Sequence, residues 1–341
     1  MNVVVLIPSL NPDESLLQVV RSIREQGFER FVIVDDGSKP ACRGVFDALE
    51  ADGCAVVRHA VNLGKGRALK TGFNHILQHM ADAQGVVTCD ADGQHHPQDI
   101  AAVARALGEH GDKVILGARQ FFEAKVPLPN LLGNTITRFV FWLLTGLRYG
   151  DTQSGLRAFP MAALPAMMAV AGERFEYENV MLLAFRENAL DYAELPIRAV
   201  YAAEGKQATH FNRAVDSVRI YKKLLGFAAA PIFGAFFSLM LFMVLSLAWG
   251  TVPANLVLAA VASVAGWLTI WVAAPARRGV QAVAVTLVSV AALCVLYLLF
   301  TVALALPPIC AYLLAGLLSA PLGYSLWVGS RCPRKPIRTK L

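Results

Sequence analysis

The sequence predicts an α/β domain with a parallel sheet, followed by an all-helical domain suited to a lipid bilayer. Three observations predict it. Residues 1–120 alternate short β-branched runs with amphipathic segments, the pattern of a parallel sheet covered on both faces. The chain is 56% hydrophobic and only 16% charged, too apolar for an ordinary soluble protein. That apolar weight is concentrated, because between Leu224 and Ser330 the only charged residues are Arg277 and Arg278.

The strand-like runs are Val3–Ile7, Phe31–Val34, Ala55–Arg58, Val86–Cys89 and Val114–Leu116, with helices expected at about 14–26, 40–51, 65–80 and 97–109. This is a Rossmann-like nucleotide-binding half, whose ligands belong at the C-terminal ends of the strands. The start, Met1-Asn2-Val3-Val4-Val5, lacks the basic stretch of a signal peptide and reads as a first strand. Cysteines 42, 54, 89, 294, 310 and 332 include no C-x-x-C pair. They suggest neither a disulfide framework nor a zinc site.

The most informative stretch follows the run that ends at Cys89: Asp90-Ala91-Asp92-Gly93-Gln94-His95-His96-Pro97. Carboxylates at i and i+2 on a strand point the same way. Two carboxylates and a carboxamide are hard oxygen ligands, suited to Mg²⁺ or Mn²⁺ carrying a diphosphate. A turn rich in Asp and Gly has the same composition. The first and second strands also end in polar residues, Pro8-Ser9-Leu10-Asn11-Pro12-Asp13-Glu14 and Asp35-Asp36-Gly37-Ser38. These suit either a base and ribose or helix capping by Asn11 or Ser38. In Asn62-Leu63-Gly64-Lys65-Gly66-Arg67, glycines open a helix whose backbone N–H groups would face a phosphate, with Lys65 adding charge. The spacing is not that of a Walker A loop.

After Arg119 the α/β rhythm stops. Residues 131–149 place Asn134 and Arg138 in a bulky apolar run, which reads as a helix at a membrane surface or a buried core helix. A polar loop follows, Asp151-Thr152-Gln153-Ser154-Gly155-Leu156-Arg157, and then Phe175-Glu176-Tyr177-Glu178 and the strand-like 193–197. A basic amphipathic segment runs from Arg213 to Lys223. Beyond it, 226–249, 254–274, 280–305 and 309–329 are each long enough to cross a hydrocarbon core of roughly 30 Å. Lys222, Lys223, Arg277, Arg278 and the basic tail from Arg331 fall at alternate ends of these spans, and Trp249, Trp271 and Trp327 lie near span ends. The positive-inside rule therefore puts both termini and the 275–279 loop in the cytoplasm. The resulting division is 1–210 catalytic, 211–224 interfacial, 225–330 transmembrane and 331–341 a basic tail. The net charge of +6 lies beside apolar segments, which suits anionic lipid rather than nucleic acid.

In order along the chain, Pro8…Asn11…Glu14, Val34-Asp35-Asp36-Gly37-Ser38, Asn62-x-Gly64-Lys65-Gly66, Asp90-Ala91-Asp92-Gly93-Gln94-His95 and Gln153-Ser154-Gly155-x-Arg157 resemble the inverting GT-A glycosyltransferases of family 2. Within that family they look most like polyprenyl-phosphate sugar synthases of the dolichyl-phosphate mannose synthase type. The four-span region resembles, in topology alone, the GtrA-like domain fused to some members. One departure is Asn11-Pro12-Asp13-Glu14, where the family often has Asn and Glu adjacent.

The resemblance implies a nucleotide pocket lined by Pro8, Asn11, Glu14 and Asp36, with Lys65 nearby. It implies Asp90 and Asp92 facing the diphosphate, with Asp92 and Gln94 as ligands of Mg²⁺ or Mn²⁺. Arg119, Arg138 and Arg213 would hold the acceptor phosphate. Gln153, Ser154 and Arg157 would shape the sugar and acceptor site, Asp151 would orient, and His210 and Arg213 would lie on an interfacial segment. The implied partners are a GDP- or UDP-hexose, a polyprenyl phosphate and the bilayer, with the enzyme integral to the cytoplasmic membrane in a bacterium. Two other readings compete. A processive polysaccharide synthase carries Gln-x-x-Arg-Trp, whereas Gln153 here is followed by Ser-Gly-Leu-Arg-Ala. A transporter with a sugar-sensing domain would be expected to carry ionisable residues inside its spans, and these spans have none.

Overall fold

The computed structural model describes residues 2–119, 134–135, 137–138, 141, 148–188, 190–198, 261, 264, 279–316, 318 and 338–340. The chain divides into two units, Met1–Lys223 with Lys335–Leu341, and Leu224–Arg334.

In the first unit, β1 (Val3–Ser9), α1 (Ser15–Arg24), β2 (Phe31–Asp35), α2 (Arg43–Ala51), β3 (Ala55–Arg58), α3 (Lys65–His79), β4 (Gly85–Thr88), α4 (Pro97–His110) and β5 (Val114–Arg119) follow in order. Then come β6 (Arg157–Pro160), α5 (Leu164–Ala169), α6 (Glu176–Glu187) and β7 (Tyr192–Ile197), while β8 (Arg338–Lys340) comes from the chain's end. The strand order is β3-β2-β1-β4-β6-β5-β7-β8. Among the described strands only β6 runs antiparallel to its neighbours, β4 and β5. The chain builds outward from β1 through β2 to β3, then crosses to the other side of β1 to lay down β4. That reversal opens a crevice at the C-terminal ends of β1 and β4.

β1 is buried on both faces. Val3, Val5 and Ile7 join a core with Leu16, Val20 and Ile23 of α1, Phe46 and Leu49 of α2, and Ile100, Val103 and Ala104 of α4. The opposite face meets α3, whose Phe73 lies edge-on to Phe159 of β6 at 5.6 Å. Each fully buried side chain of this kind contributes about 1.5–3 kcal/mol. α4 begins at Pro97, where the missing N–H costs nothing, and ends at Gly111 with φ +60°. β6 was not expected. Arg-Ala-Phe-Pro carries no alternation, and it becomes a strand because pairing with β4 and β5 buries all four residues.

Of the stretch 131–149, Asn134, Thr137 and Phe141 are buried, while Thr135 and Arg138 are exposed. Positions i, i+3 and i+7 share a helix face, so these residues turn one face into the protein, and Phe141 meets Tyr149 edge-on at 5.7 Å.

In the second unit, α7 (Gly279–Leu298) runs on into a π-helical turn, Leu299–Ala303, and a further helix covers 308–316. Leu293 and Tyr297 pack against Ala311, Tyr312 and Ala315, closing a helical hairpin. Its other faces leave Val295, Val302, Leu304 and Leu313 exposed. Among the described residues no helix is long and apolar enough to cross a membrane. α7 has 20 residues, none of them charged, with side chains described from Val288 onward. The expected span at 226–249, all of the one at 254–274 except Val261 and Val264, most of the one at 309–329, the segment 211–224 and the three span-end tryptophans lie outside the described residues.

Candidate active site

The Thr88 hydroxyl at the end of β4 donates to the Gly155 carbonyl at 2.9 Å, holding the 154–157 segment beside it. β4 ends at Thr88, so Asp90 and Asp92 lie in the following turn rather than on strand positions as expected. Asp90 is anchored at both oxygens. Lys65 Nζ reaches Oδ1 at 2.6 Å, and His95 Nε2 lies 3.2 Å from Oδ2. The same ammonium lies 2.9 Å from Glu178 Oε2, on α6. Burial opposes the charge on Lys65, but Asp90 and Glu178 more than offset it and raise its pKa. Burial likewise opposes the Asp90 charge, and Lys65 and His95 overcome it, lowering that carboxyl well below the usual range. Gly155 is required here, since a Cβ at that position would lie 2.8 Å from Asp90 Oδ2.

Asp92 differs. Its Oδ1 accepts the Gln94 backbone N–H at 3.0 Å, and no cationic side chain pairs with it among the described residues. Burial, then the neighbouring Asp90 charge, raise its pKa. A half-buried carboxylate with no paired cation, followed by a carboxamide two residues on, fits a hard divalent cation. Among the described residues no three His, Cys, Asp or Glu side chains cluster as a ready-made metal site. A cation there would need ligands from elsewhere, as a diphosphate supplies.

The ends of β1 and β2 are stitched together. Ser38 Oγ accepts the Asn11 N–H, and Asn11 Oδ1 accepts the Lys39 N–H, both at 2.8 Å. Asn11 takes φ +50° to do so. Pro8 and Asn11 are half-buried on this edge, while Glu14 is exposed at the start of α1, where Asp13 caps Ser15 N at 2.9 Å.

Asp36 was expected to face a nucleotide, but its carboxylate is turned inward. It accepts the Leu63 and Gly64 N–H groups at 2.9 and 2.8 Å and pairs with His59 Nδ1 at 2.8 Å. His59 Nε2 sits 2.9 Å from the Thr71 hydroxyl. With its Nδ1–H on Asp36, the ring accepts from Thr71. The reading of the 62–67 glycines is corrected likewise. The N–H groups of Leu63 and Gly64 go to Asp36, and that of Arg67 to the Glu173 carbonyl at 2.9 Å. A Cβ on Gly64 would meet Glu173 O at 2.5 Å, and one on Gly66 would meet Tyr177 Cβ at 2.5 Å. These glycines bring α3 against the 173–177 segment, and so bring Lys65 to Glu178.

Arg119 and Arg138 converge on one loop. Arg119 grips Asp151 bidentately, with Nε to Oδ2 at 2.6 Å and Nη2 to Oδ1 at 3.1 Å, and Arg138 Nε donates to the Tyr149 carbonyl at 2.9 Å. The Asp151 side chain is fully buried and also accepts the Gln153 N–H. Asp151 thus orients Arg119 and the loop. Gln153 is exposed.

Ser154 and Arg157, expected to line the sugar, are instead buried among protein atoms. Ser154 Oγ accepts the Leu156 N–H, and Arg157 donates to the carbonyls of Ser154 and Glu178. Burial lowers the Arg157 pKa. This arginine ties the 154–157 loop to α6. His210 and Arg213 lie outside the described residues. Sequence reasoning missed Glu178, His59 and the steric role of Gly155. Glu178 stood in a segment with no pattern of its own, and only the packing of α6 on α3 gives it a partner.

A model of glycosyl transferase family 2 matches residues 4–168. The UDP-N-acetylglucosamine–dolichyl-phosphate N-acetylglucosaminyltransferase of Methanococcus voltae is 30% identical over 239 residues, 64% of this chain and 94% of that one. The undecaprenyl-phosphate mannosyltransferase of Micrococcus luteus is 27% identical over 213 residues, 59% of this chain and 84% of its own. Among solved structures, glucosyl-3-phosphoglycerate synthase from Mycobacterium tuberculosis superposes with a TM-score of 0.48 at 17% identity, covering 66% of this chain and 76% of that one. The ordered motifs, the α/β sheet that carries them and the extent of the match to the Methanococcus relative together make this chain a glycosyltransferase and a member of glycosyl transferase family 2.

Proposed function

We propose that the enzyme moves one sugar from a GDP- or UDP-hexose to a polyprenyl phosphate, forming a polyprenyl-phosphate monosaccharide at the cytoplasmic face of a bilayer that residues 225–330 cross four times. The observation that carries this reading is the unequal pair at the sheet's crevice. Asp90 is paired with Lys65, while Asp92 has no cationic side chain paired with it among the described residues. The names of the two relatives, both transferring sugars to lipid phosphates, support the acceptor class.

Asp92 and Gln94 would hold Mg²⁺ or Mn²⁺, and the ion, when bound, neutralises charge developing on a departing diphosphate. The chain's own residues then have a limited task. A lipid phosphate oxygen is already ionised near pH 7, so no strong general base is required. Arg119, oriented by Asp151, and Arg138, which donates to the same loop, would receive that phosphate, since guanidinium stays charged and binds phosphate in a planar fork. Asp151 is engaged by Arg119 and Gln153, which suits positioning rather than proton abstraction.

The membrane part is supported by the exposed apolar faces of the α7 hairpin and by the charge-free spans. Detergent-purified chain incubated with Mn²⁺, polyprenyl phosphate and radiolabelled GDP- and UDP-sugars should yield a labelled lipid, identified by mass spectrometry. Transfer only to water, to soluble phosphates or to a growing polymer would overturn the acceptor assignment.

A further inference from the structure

We propose that Glu178 is a positioning residue for donor binding: with Asp90 it suspends the Lys65 ammonium at the mouth of the crevice, so that a nucleotide diphosphate meets an ammonium fixed beside Asp90. This deepens the sugar-nucleotide reading above and rests on it.

The geometry is specific. Lys65 Nζ sits between Asp90 Oδ1 at 2.6 Å and Glu178 Oε2 at 2.9 Å, with its side chain 17% exposed and that of Glu178 13% exposed. The Phe175 ring lies 5.9 Å from the ammonium and covers it further. Two features of the chain exist to make this contact possible. Gly64 and Gly66 lack the Cβ atoms that would push α3 off the 173–177 segment. Arg157 donates to the Glu178 backbone carbonyl at 2.7 Å, fixing the first turn of α6 where the side chain starts.

A lysine held by Asp90 alone would be a flexible chain with one ionic contact. Held by two carboxylates from different elements, it has one position. The consequence is electrostatic. A diphosphate approaching the crevice meets Asp90 with an ammonium fixed beside it, and Asp92 is the carboxylate of the pair that no cationic side chain meets among the described residues. Without Glu178, the ammonium keeps one ionic partner and loses its fixed position, so the charge that offsets Asp90 is no longer held where the incoming anion meets it.

The test is a double-mutant cycle in the full-length chain, using Glu178→Gln, Lys65→Met and the double variant, with GDP and UDP as probes in the presence of Mn²⁺. Affinity is read by calorimetry, and KM is measured for donor and for polyprenyl phosphate. Glu178→Gln should weaken nucleoside diphosphate binding by at least about tenfold and leave the acceptor KM in place. In the Lys65→Met background the same substitution should cost little, because Glu178 acts through the lysine. Multiplicative effects, or equal losses toward donor and acceptor, would overturn the proposal. Should Glu178→Gln fail to fold, Glu178→Asp keeps the charge on a shorter arm and Lys65→Met removes the ammonium itself. Donor affinity retained in Lys65→Met would then also overturn it. If the wild-type chain binds neither GDP nor UDP, the failure belongs to the sugar-nucleotide reading, and the positioning role falls with it.

Discussion

The pair Lys65–Asp90 has a definite pH window. The Asp90 carboxyl is lowered below its unfolded value, so its contribution to stability is present above that value, about 3.9, and is lost as pH falls through the folded one. The Lys65 pKa is raised, so its contribution is present below the unfolded value, about 10.4, and is lost only as pH rises through the folded one. Between those limits the contribution is flat. Asp90→Asn should therefore lower the melting temperature by the same amount at pH 5.5 as at pH 8, measured by differential scanning fluorimetry. A penalty that changes across that interval would mean that His95, 3.2 Å from Asp90, carries part of the charge balance. Gly155 belongs to the same scale. Gly155→Ala places a methyl group 2.8 Å from Asp90 Oδ2, which forces the carboxylate or the 154–157 loop aside at a cost of about 1–3 kcal/mol. Donor binding should fall with stability, and an unchanged thermal midpoint would show that the loop yields freely.

At the scale of elements, the N-terminus of α3 offers a choice between two roles for its glycines. If Gly66 is there for packing, Gly66→Ala meets Tyr177 Cβ at 2.5 Å and lowers the melting temperature of nucleotide-free protein by an amount equivalent to about 1–3 kcal/mol. If it were there for phosphate, the nucleotide-free midpoint would stay and only diphosphate affinity would drop.

The loop after Tyr149 makes a parallel prediction. Asp151→Asn removes a fully buried carboxylate from under Arg119, and breaking such a pair costs roughly 3–5 kcal/mol. Transfer to polyprenyl phosphate should be lost before donor binding is. These same elements show what was legible in the sequence. The runs Val3–Ile7 and Phe31–Val34 are recognisable because a strand buried on both faces must be continuously apolar, and the structure extends them only to Ser9 and Asp35. The antiparallel β6 was not legible, because its strand character comes from β4 and β5 rather than from its own four residues. In the site, Asp90, Asp92 and Lys65 announce themselves by residue type and spacing. Glu178 does not, because its meaning depends on a helix that packs from far along the chain. Asp36 and Arg157 mislead for the opposite reason: a charged residue in a motif suggests a ligand, and here both charges are engaged within the protein, by backbone groups and, for Asp36, by His59 as well.

At the scale of the whole molecule, the chain's end sets the topology. The first unit takes back residues Lys335–Leu341 after the second unit has intervened, and β8 pairs in parallel with β7, Tyr192 with Arg338 and Glu194 with Lys340. A strand cannot hydrogen-bond to a sheet on the far side of a bilayer, because no open sheet edge is satisfied in hydrocarbon. Under the membrane reading proposed above, the segment between Leu224 and Arg334 crosses an even number of times, independently of where the arginines fall. Reporters of sidedness fused before Met1 and after Leu341 should therefore give the same answer in intact cells or sealed vesicles. Removing Arg338–Lys340 should speed amide exchange along Tyr192–Ile197, since β7 loses a pairing neighbour. Reporters on opposite sides would break the β7–β8 pairing and the four-span count together, whereas unchanged exchange with matching reporters would leave the even count resting on charge alone.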